Sequence, residues 1–131
     1  DLYREAERLR LKYERASSER AVAGFEAAAL EWSRRNDPHG MARARERAGT
    51  TYAQLGLLRP SLRAYEAAMD AARSAADPIL ESEILSDRGI ARSLVAVRER
   101  DFGLAQSDCE SALSLARRAL SVDLLSLMRD T

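Results

Sequence analysis

Apolar positions recur along this chain at helical spacing almost without interruption. Leu2, Ala6, Leu9 and Tyr13 fall on one stripe, and Val22, Phe25, Ala29 and Trp32 follow at i, i+3, i+7 and i+10. That is the signature of helices with one buried face. No alternating run is long enough to predict a strand. A first helix is predicted over about 2–16, broken by Ser17-Ser18, with Ser18 placed to cap a second helix that runs to about Arg35. Asp37-Pro38 then disfavours helix before the proline and suits the first turn after it. A third helix spans about His39 to Leu55, with Gly56 as its stop. Pro60 opens a fourth through Tyr65, Ala68 and Ala72, and a fifth runs from about Ile79 towards Arg98. Asp101 is placed to cap a sixth, which contains Ala105, Cys109, Ala112, Leu113 and Ala116. Leu124, Leu125, Leu127 and Met128 read as the opening of a seventh.

Parts of the chain repeat. Phe25-Glu26-Ala27-Ala28 returns 40 residues on as Tyr65-Glu66-Ala67-Ala68, Asp37-Pro38 as Asp77-Pro78, and Gly49 as Gly89. A slipped third copy, Cys109-Glu110-Ser111-Ala112, lies 44 residues beyond Tyr65. Repetition at this period points to stacked supersecondary units. Gly49 and Gly89 fall inside helical patterns, where glycine costs about 1 kcal/mol relative to alanine. The same phase in two units argues that each leaves room for a neighbouring ring or backbone. By the same phase, Cys109 is expected to be buried like Tyr65 and Phe25.

These residues resemble the tetratricopeptide repeat family, whose unit is a pair of antiparallel helices. The second unit matches through Gly49, Tyr52, Leu55-Gly56, Tyr65, Ala68 and Asp77-Pro78. The third matches through Leu85, Gly89, Asp101-Phe102, Ala105, Ala112 and Leu113, with four extra residues between Gly89 and Ala105. The first departs most: Leu9 and Lys12 stand where Gly49 and Tyr52 would fall, and Ser61 replaces the usual alanine of the fourth helix. The long unit is similar to arrays in bacterial multi-domain proteins. The resemblance implies an all-α, right-handed α-solenoid with units at about 1–38, 39–78 and 79–122, and residues 123–131 starting a further helix.

Composition narrows the function. With 46% apolar and 32% charged residues and no formal net charge, the chain is of folded type and lacks the basic excess of a nucleic-acid binder. The arginine-rich stretch from Met41 to Arg47 is interrupted by Glu46 and has no interleaved aromatic platform, which also disfavours nucleic acid. Lys12 is the only lysine among the 21 basic residues, a bias ascribed to a GC-rich genome. No apolar run reaches membrane-spanning length, so no membrane role is expected. The start at Asp1 suggests a processed or excised piece; the compartment is unspecified, with the cytoplasm preferred. His39 and Cys109 are the only residues of their types, too few for a zinc set and too distant in sequence to read as a nucleophile–base pair. No catalytic residue, metal or cofactor is expected.

What remains is a surface. The resemblance implies that the first helices of successive units line a concave groove. By phase with Gly49 and Gly89, that groove takes Arg10 and Tyr13 from the first unit, Arg43, Glu46, Thr50 and Gln54 from the second, and Glu83, Ser86 and Ile90 from the third. The set is mixed in charge and lacks the lysine and asparagine clamp for a peptide carboxylate, though Arg10 and Arg43 are suited to an acidic side chain. The reading is a non-catalytic protein–protein interaction scaffold for a peptide or partner segment. The alternatives are self-association through the C-terminal helix and a sensing or regulatory arm of a larger bacterial enzyme or transcription regulator.

Overall fold

The computed structural model describes residues 1–12, 14–99 and 103–129. These form six helices and no strand: α1 (Leu2–Arg10), α2 (Arg15–Arg34), α3 (Pro38–Gln54), α4 (Leu58–Ser74), α5 (Pro78–Glu99) and α6 (Gly103–Arg129). Among the described residues no helix is long and apolar enough to cross a membrane. Tyr13, Asp101 and Phe102 lie outside the described residues, as do the side chains of Ala105 and 122–129.

The helix ends repeat as the Asp-Pro pairs predict. The Gly40 amide donates to Asp37 Oδ1 at 3.0 Å, and the Leu80 amide to Asp77 Oδ1 at 3.1 Å. Pro38 and Pro78 open their helices, where a missing amide hydrogen costs nothing. The preceding ends share a left-handed residue: Asn36 at φ 54°, Gly56 at φ 76° and Ala76 at φ 52°. Each is followed by an amide that reaches back five residues, Asp37 to Trp32, Leu57 to Tyr52 and Asp77 to Ala72. This closure satisfies carbonyls that the helix end would leave open. One turn therefore recurs every 20 residues, after α2, α3 and α4. At Ala76 it carries roughly 1 kcal/mol of side-chain strain that glycine would avoid.

Successive helices pack on one another, and the contacts of α2 with α3 and of α5 with α6 run antiparallel. Tyr3 of α1 meets Phe25 of α2 edge-on at 5.4 Å, and Tyr52 of α3 donates to Glu26 of α2 at 2.9 Å. Ser61 of α4 donates to the Gly49 carbonyl at 2.7 Å, which explains a hydroxyl where alanine is usual. Ser82 of α5 donates to the Ala112 carbonyl of α6 at 2.9 Å. In addition, α1 lies against α3 and α3 against α5. The cores lie between the helices: Phe25 with Leu9, Ala48 and Ala64 at one end, and Tyr65 with Met69, Leu80, Ile84 and Ala112 at the other.

Three expectations are corrected. First, α1 ends at Arg10 and α2 begins at Arg15, so Ser17-Ser18 do not break the helix; both serines are buried inside α2, and the cap position is Glu14, with no capping side chain. Ala6 and Leu9 are the buried apolar residues of α1. Second, α6 continues without interruption through Ser121 and Val122 to Arg129, so the segment from Leu124 extends it rather than opening a seventh helix. Third, Cys109 is exposed and Asp108 takes the interior place at 3% exposure. Arg88 binds Asp108 through two nitrogens at 3.0 and 2.9 Å, and Arg92 adds a third contact at 2.8 Å. Two guanidinium groups on α5 supply the compensation that a buried carboxylate needs, so α6 presents its acid there instead of the thiol.

Gly49 and Gly89 are both buried. A Cβ on Gly49 would stand 2.7 Å from Cε1 of Tyr65, whose hydroxyl is fixed to Thr50 at 3.0 Å. Gly49→Ala should gain about 1 kcal/mol of helix propensity and lose more to overpacking, for a net destabilisation of about 1–2 kcal/mol. Urea unfolding checks the sign; stabilisation would mean that the ring does not need the missing side chain.

Candidate functional site

Among the described residues, several polar contacts join α1 to α3 and α3 to α5. Pairs on this α1/α3/α5 face follow the period of the chain. Glu7 Oε2 meets Arg47 Nε at 3.1 Å, and Arg43 Nη1 meets Glu83 Oε2 at 3.1 Å, each pair 40 residues apart. His39 Nε2 lies 3.2 Å from Asp77 Oδ2. Tyr3 accepts from Arg47 Nε at 3.2 Å, and Arg10 pairs with Glu7 on its own helix. A residue on one odd-numbered helix thus stands beside its counterpart one period on.

The expected groove residues do not behave alike. Arg43 and Glu83 are brought together, as a pair and not as two free ligands. Glu46 and Thr50 are also together: Thr50 Oγ1 lies 3.3 Å from the Glu46 carbonyl and 3.0 Å from the Tyr65 hydroxyl. Gln54, Ser86 and Ile90 are exposed, Ile90 at 61%. Arg10 sits apart in the Glu7–Arg47 cluster with its side chain 11% exposed, so it is not open to an acidic ligand in this state. Tyr13 lies outside the described residues. Tyr3, Glu7, Arg47 and Asp87 complete the face and were not expected there from the sequence; Tyr65, expected as a core residue, reaches it from α4 through Thr50. Opposite charges spaced at the repeat period would have revealed Glu7–Arg47.

Glu46 is the unusual member. It is 2% exposed, and its Oε2 is enclosed without a hydrogen-bond partner. Arg47 Nε is 3.6 Å away, directed to Tyr3 and Glu7. Burial, and then the carboxyl of Asp87 beside it, push the Glu46 carboxyl up to about 8, against the pull of Arg47 and Arg43. It is therefore held protonated at neutral pH, and a carboxyl proton can serve the Asp87 contact. Burial likewise pushes Tyr65 up to about 12, so its hydroxyl stays neutral.

A second concavity, of about 770 Å³, lies where the α4–α5 turn meets α6, lined by Ala75, Pro78, Ile79, Leu115 and Ala119 with His39 at its edge. None of the expected groove residues borders it. His39 is engaged with Asp77, and Cys109 is exposed on α6.

No protein-family model, curated protein or solved structure matches the chain.

The Glu46 carboxyl makes a pH prediction. In the fold it lies near 8, against an ordinary carboxyl value of 4.5. The folded state therefore holds a proton that the unfolded state gives up, and stability is lost as pH rises from about 4.5 through 8. Glu46→Gln keeps the shape and removes the ionisation. Below about pH 4.5 its stability should approach that of wild type; near pH 8 it should exceed wild type by a few kcal/mol. Thermal melts across this range test it, and parallel pH profiles for the two proteins would refute the assignment.

Proposed function

We propose that the six helices are three units of a right-handed α-solenoid of tetratricopeptide type. On this reading the α1/α3/α5 face is a groove that binds a peptide or partner segment without catalysis. The observation that supports it is the forty-residue register of the Glu7–Arg47 and Arg43–Glu83 pairs. Parallel odd-numbered helices in a fixed register form a continuous stripe along which an extended segment or a helix can lie. The end-capping turns at Asn36, Gly56 and Ala76 support the same unit. Exposed Ile90, Ser86 and Gln54 beside the paired charges offer apolar and polar contacts to such a segment. The groove is internally neutralised, so Arg43 meets an incoming acid only by releasing Glu83.

A second reading, self-association through α6, draws support from Leu113 and Leu120, exposed at 52% and 62%. A monomer by light scattering at high concentration removes it.

The groove reading is tested with peptides selected from a random display library against the whole chain. Ile90→Asp on α5 should weaken the selected binders at least about tenfold, whereas Leu30→Asp, on an exposed position of α2, should leave them unchanged. Binders lost with Leu30→Asp and retained with Ile90→Asp would place recognition on the other side of the molecule and overturn it.

A further inference from the structure

On the α1/α3/α5 face Glu7 and Glu83 each pair with an arginine, and Asp77 lies against His39. Asp87 has no such partner among the described ion pairs, and its neighbour across the α3–α5 contact is another acid, Glu46. Glu46 Oε2 is enclosed and unpartnered. Thr50 Oγ1 lies 3.5 Å from Glu46 Oε1 and 3.0 Å from the Tyr65 hydroxyl, and Arg47 Nε, engaged with Tyr3 and Glu7, lies 3.6 Å from Glu46 Oε2.

The count of donors is unfavourable. With Glu46 protonated, its carboxyl hydrogen and the two hydroxyl hydrogens are shared among four carboxyl oxygens and the Glu46 carbonyl, and one hydroxyl hydrogen is used between the hydroxyls themselves. A site short of donors and surplus in negative charge suits a ligand rich in both donors and positive charge. An ammonium brings three N–H groups and a guanidinium five. We propose that Glu46, Asp87, Thr50 and Tyr65 form a subsite for a lysine or arginine side chain of the segment bound along the α1/α3/α5 face. This rests on the groove reading and adds the chemistry that the groove selects.

Access is through Asp87. That residue is half-buried, while Ser86 and Ile90 beside it on α5 are exposed. A long cationic side chain can lay its methylenes against Ile90 and carry its head to the Asp87 carboxylate. Glu46 answers by ionisation: its proton leaves to solvent, and the charge of the ligand takes over the compensation. One proton is thus released for each cation bound. The groups facing Glu46 are Arg43 and Arg47 of α3, Tyr65 of α4 and Asp87 of α5; Glu7 and Tyr3 of α1 act through Arg47. The arginines keep one charge state and burial holds both tyrosines neutral, so Glu46 is the group in this cluster that titrates with binding. Because a cation must displace its proton below about pH 8 and need not above it, affinity for a cation rises with pH.

The test is fluorescence-anisotropy titration of the whole chain with labelled hexalysine, hexaarginine and hexaglutamate at about pH 6 and about pH 9. It is run on wild type, Asp87→Asn, Glu46→Gln, Ile90→Asp and the exposed control Asp70→Asn, each checked for helix content. Wild type should bind the basic peptides more tightly at the higher pH. Asp87→Asn should lose about tenfold or more in affinity. Glu46→Gln should abolish the pH gain, and Asp70→Asn should match wild type. Unchanged hexalysine affinity in Asp87→Asn, or a pH gain retained in Glu46→Gln, overturns the subsite. If hexaglutamate alone binds and Ile90→Asp abolishes it, the subsite fails and the groove stands. If Ile90→Asp leaves every peptide unaffected, the groove reading falls with it.

Discussion

At three places in this chain one helix comes close to the next where a side chain is missing. The Tyr65 ring lies over Gly49, the Trp32 ring over Gly40, and the Ala6 methyl over Gly24; an added Cβ would approach these groups to 2.7, 2.5 and 2.9 Å. Interiors at crystal-like density have no slack for such an atom. Each close approach fixes one helix against the next at a single longitudinal position. At Gly49 the fit is reinforced from both sides, by Ser61 on its carbonyl and by Thr50 on the Tyr65 hydroxyl. The alanines around these points, Ala42, Ala44, Ala48, Ala68 and Ala72, extend the narrow seam.

Once helices are set this way, the α1/α3/α5 charges fall into register. The ion pairs do not cause that register. Glu7–Arg47 and Arg43–Glu83 are partly exposed, and pairs of that kind contribute at most about 1 kcal/mol each. Burying Phe25, Leu80 or Ile84 contributes about 1.5–3 kcal/mol per side chain. The apolar seams therefore carry the stability, and the ladder disfavours slipped alternatives in which like charges would meet. Asp108 between Arg88 and Arg92 is the exception, because it is nearly enclosed and losing one partner would strand a buried charge. Glu46 is the opposite case: a buried carboxyl whose compensation is a proton, at the place where α3 meets α5.

The all-helical class and most boundaries were legible because they rest on local chemistry. Asp37-Pro38, Asp77-Pro78 and Gly56 act through their own backbone, and periodicity marks the buried stripes. The first break was not legible, since residues 11–14 hold no proline or glycine and Ser17-Ser18 looks like a cap while lying inside α2. Nor was the continuity of α6, which has nothing at Ser121-Val122 to stop it. Cys109 was misplaced because the slipped copy fixes which turn faces the core, but the partner helix decides which residue of that turn is buried. Arg88 and Arg92 chose Asp108. At the site, Arg43, Glu46, Thr50 and Glu83 were found by phase, while the pairing of Arg43 with Glu83 needed the next helix to be in place. Asp87 was missed for a physical reason: two acids at nearly one period look like a repulsion until burial and a shared proton are considered.

The most direct measurement is intramolecular cross-linking of cysteines introduced in a Cys109→Ser background. A short bifunctional maleimide is applied to Arg43→Cys/Glu83→Cys, which sit one period apart and touch in the structure, and to Arg43→Cys/Glu66→Cys, with Glu66 exposed on α4. Rapid closure of the first pair in the folded protein, lost in urea, with no closure of the second, is the predicted result. Failure of the first pair to close, or equal closure of both, would contradict a forty-residue register between neighbouring units.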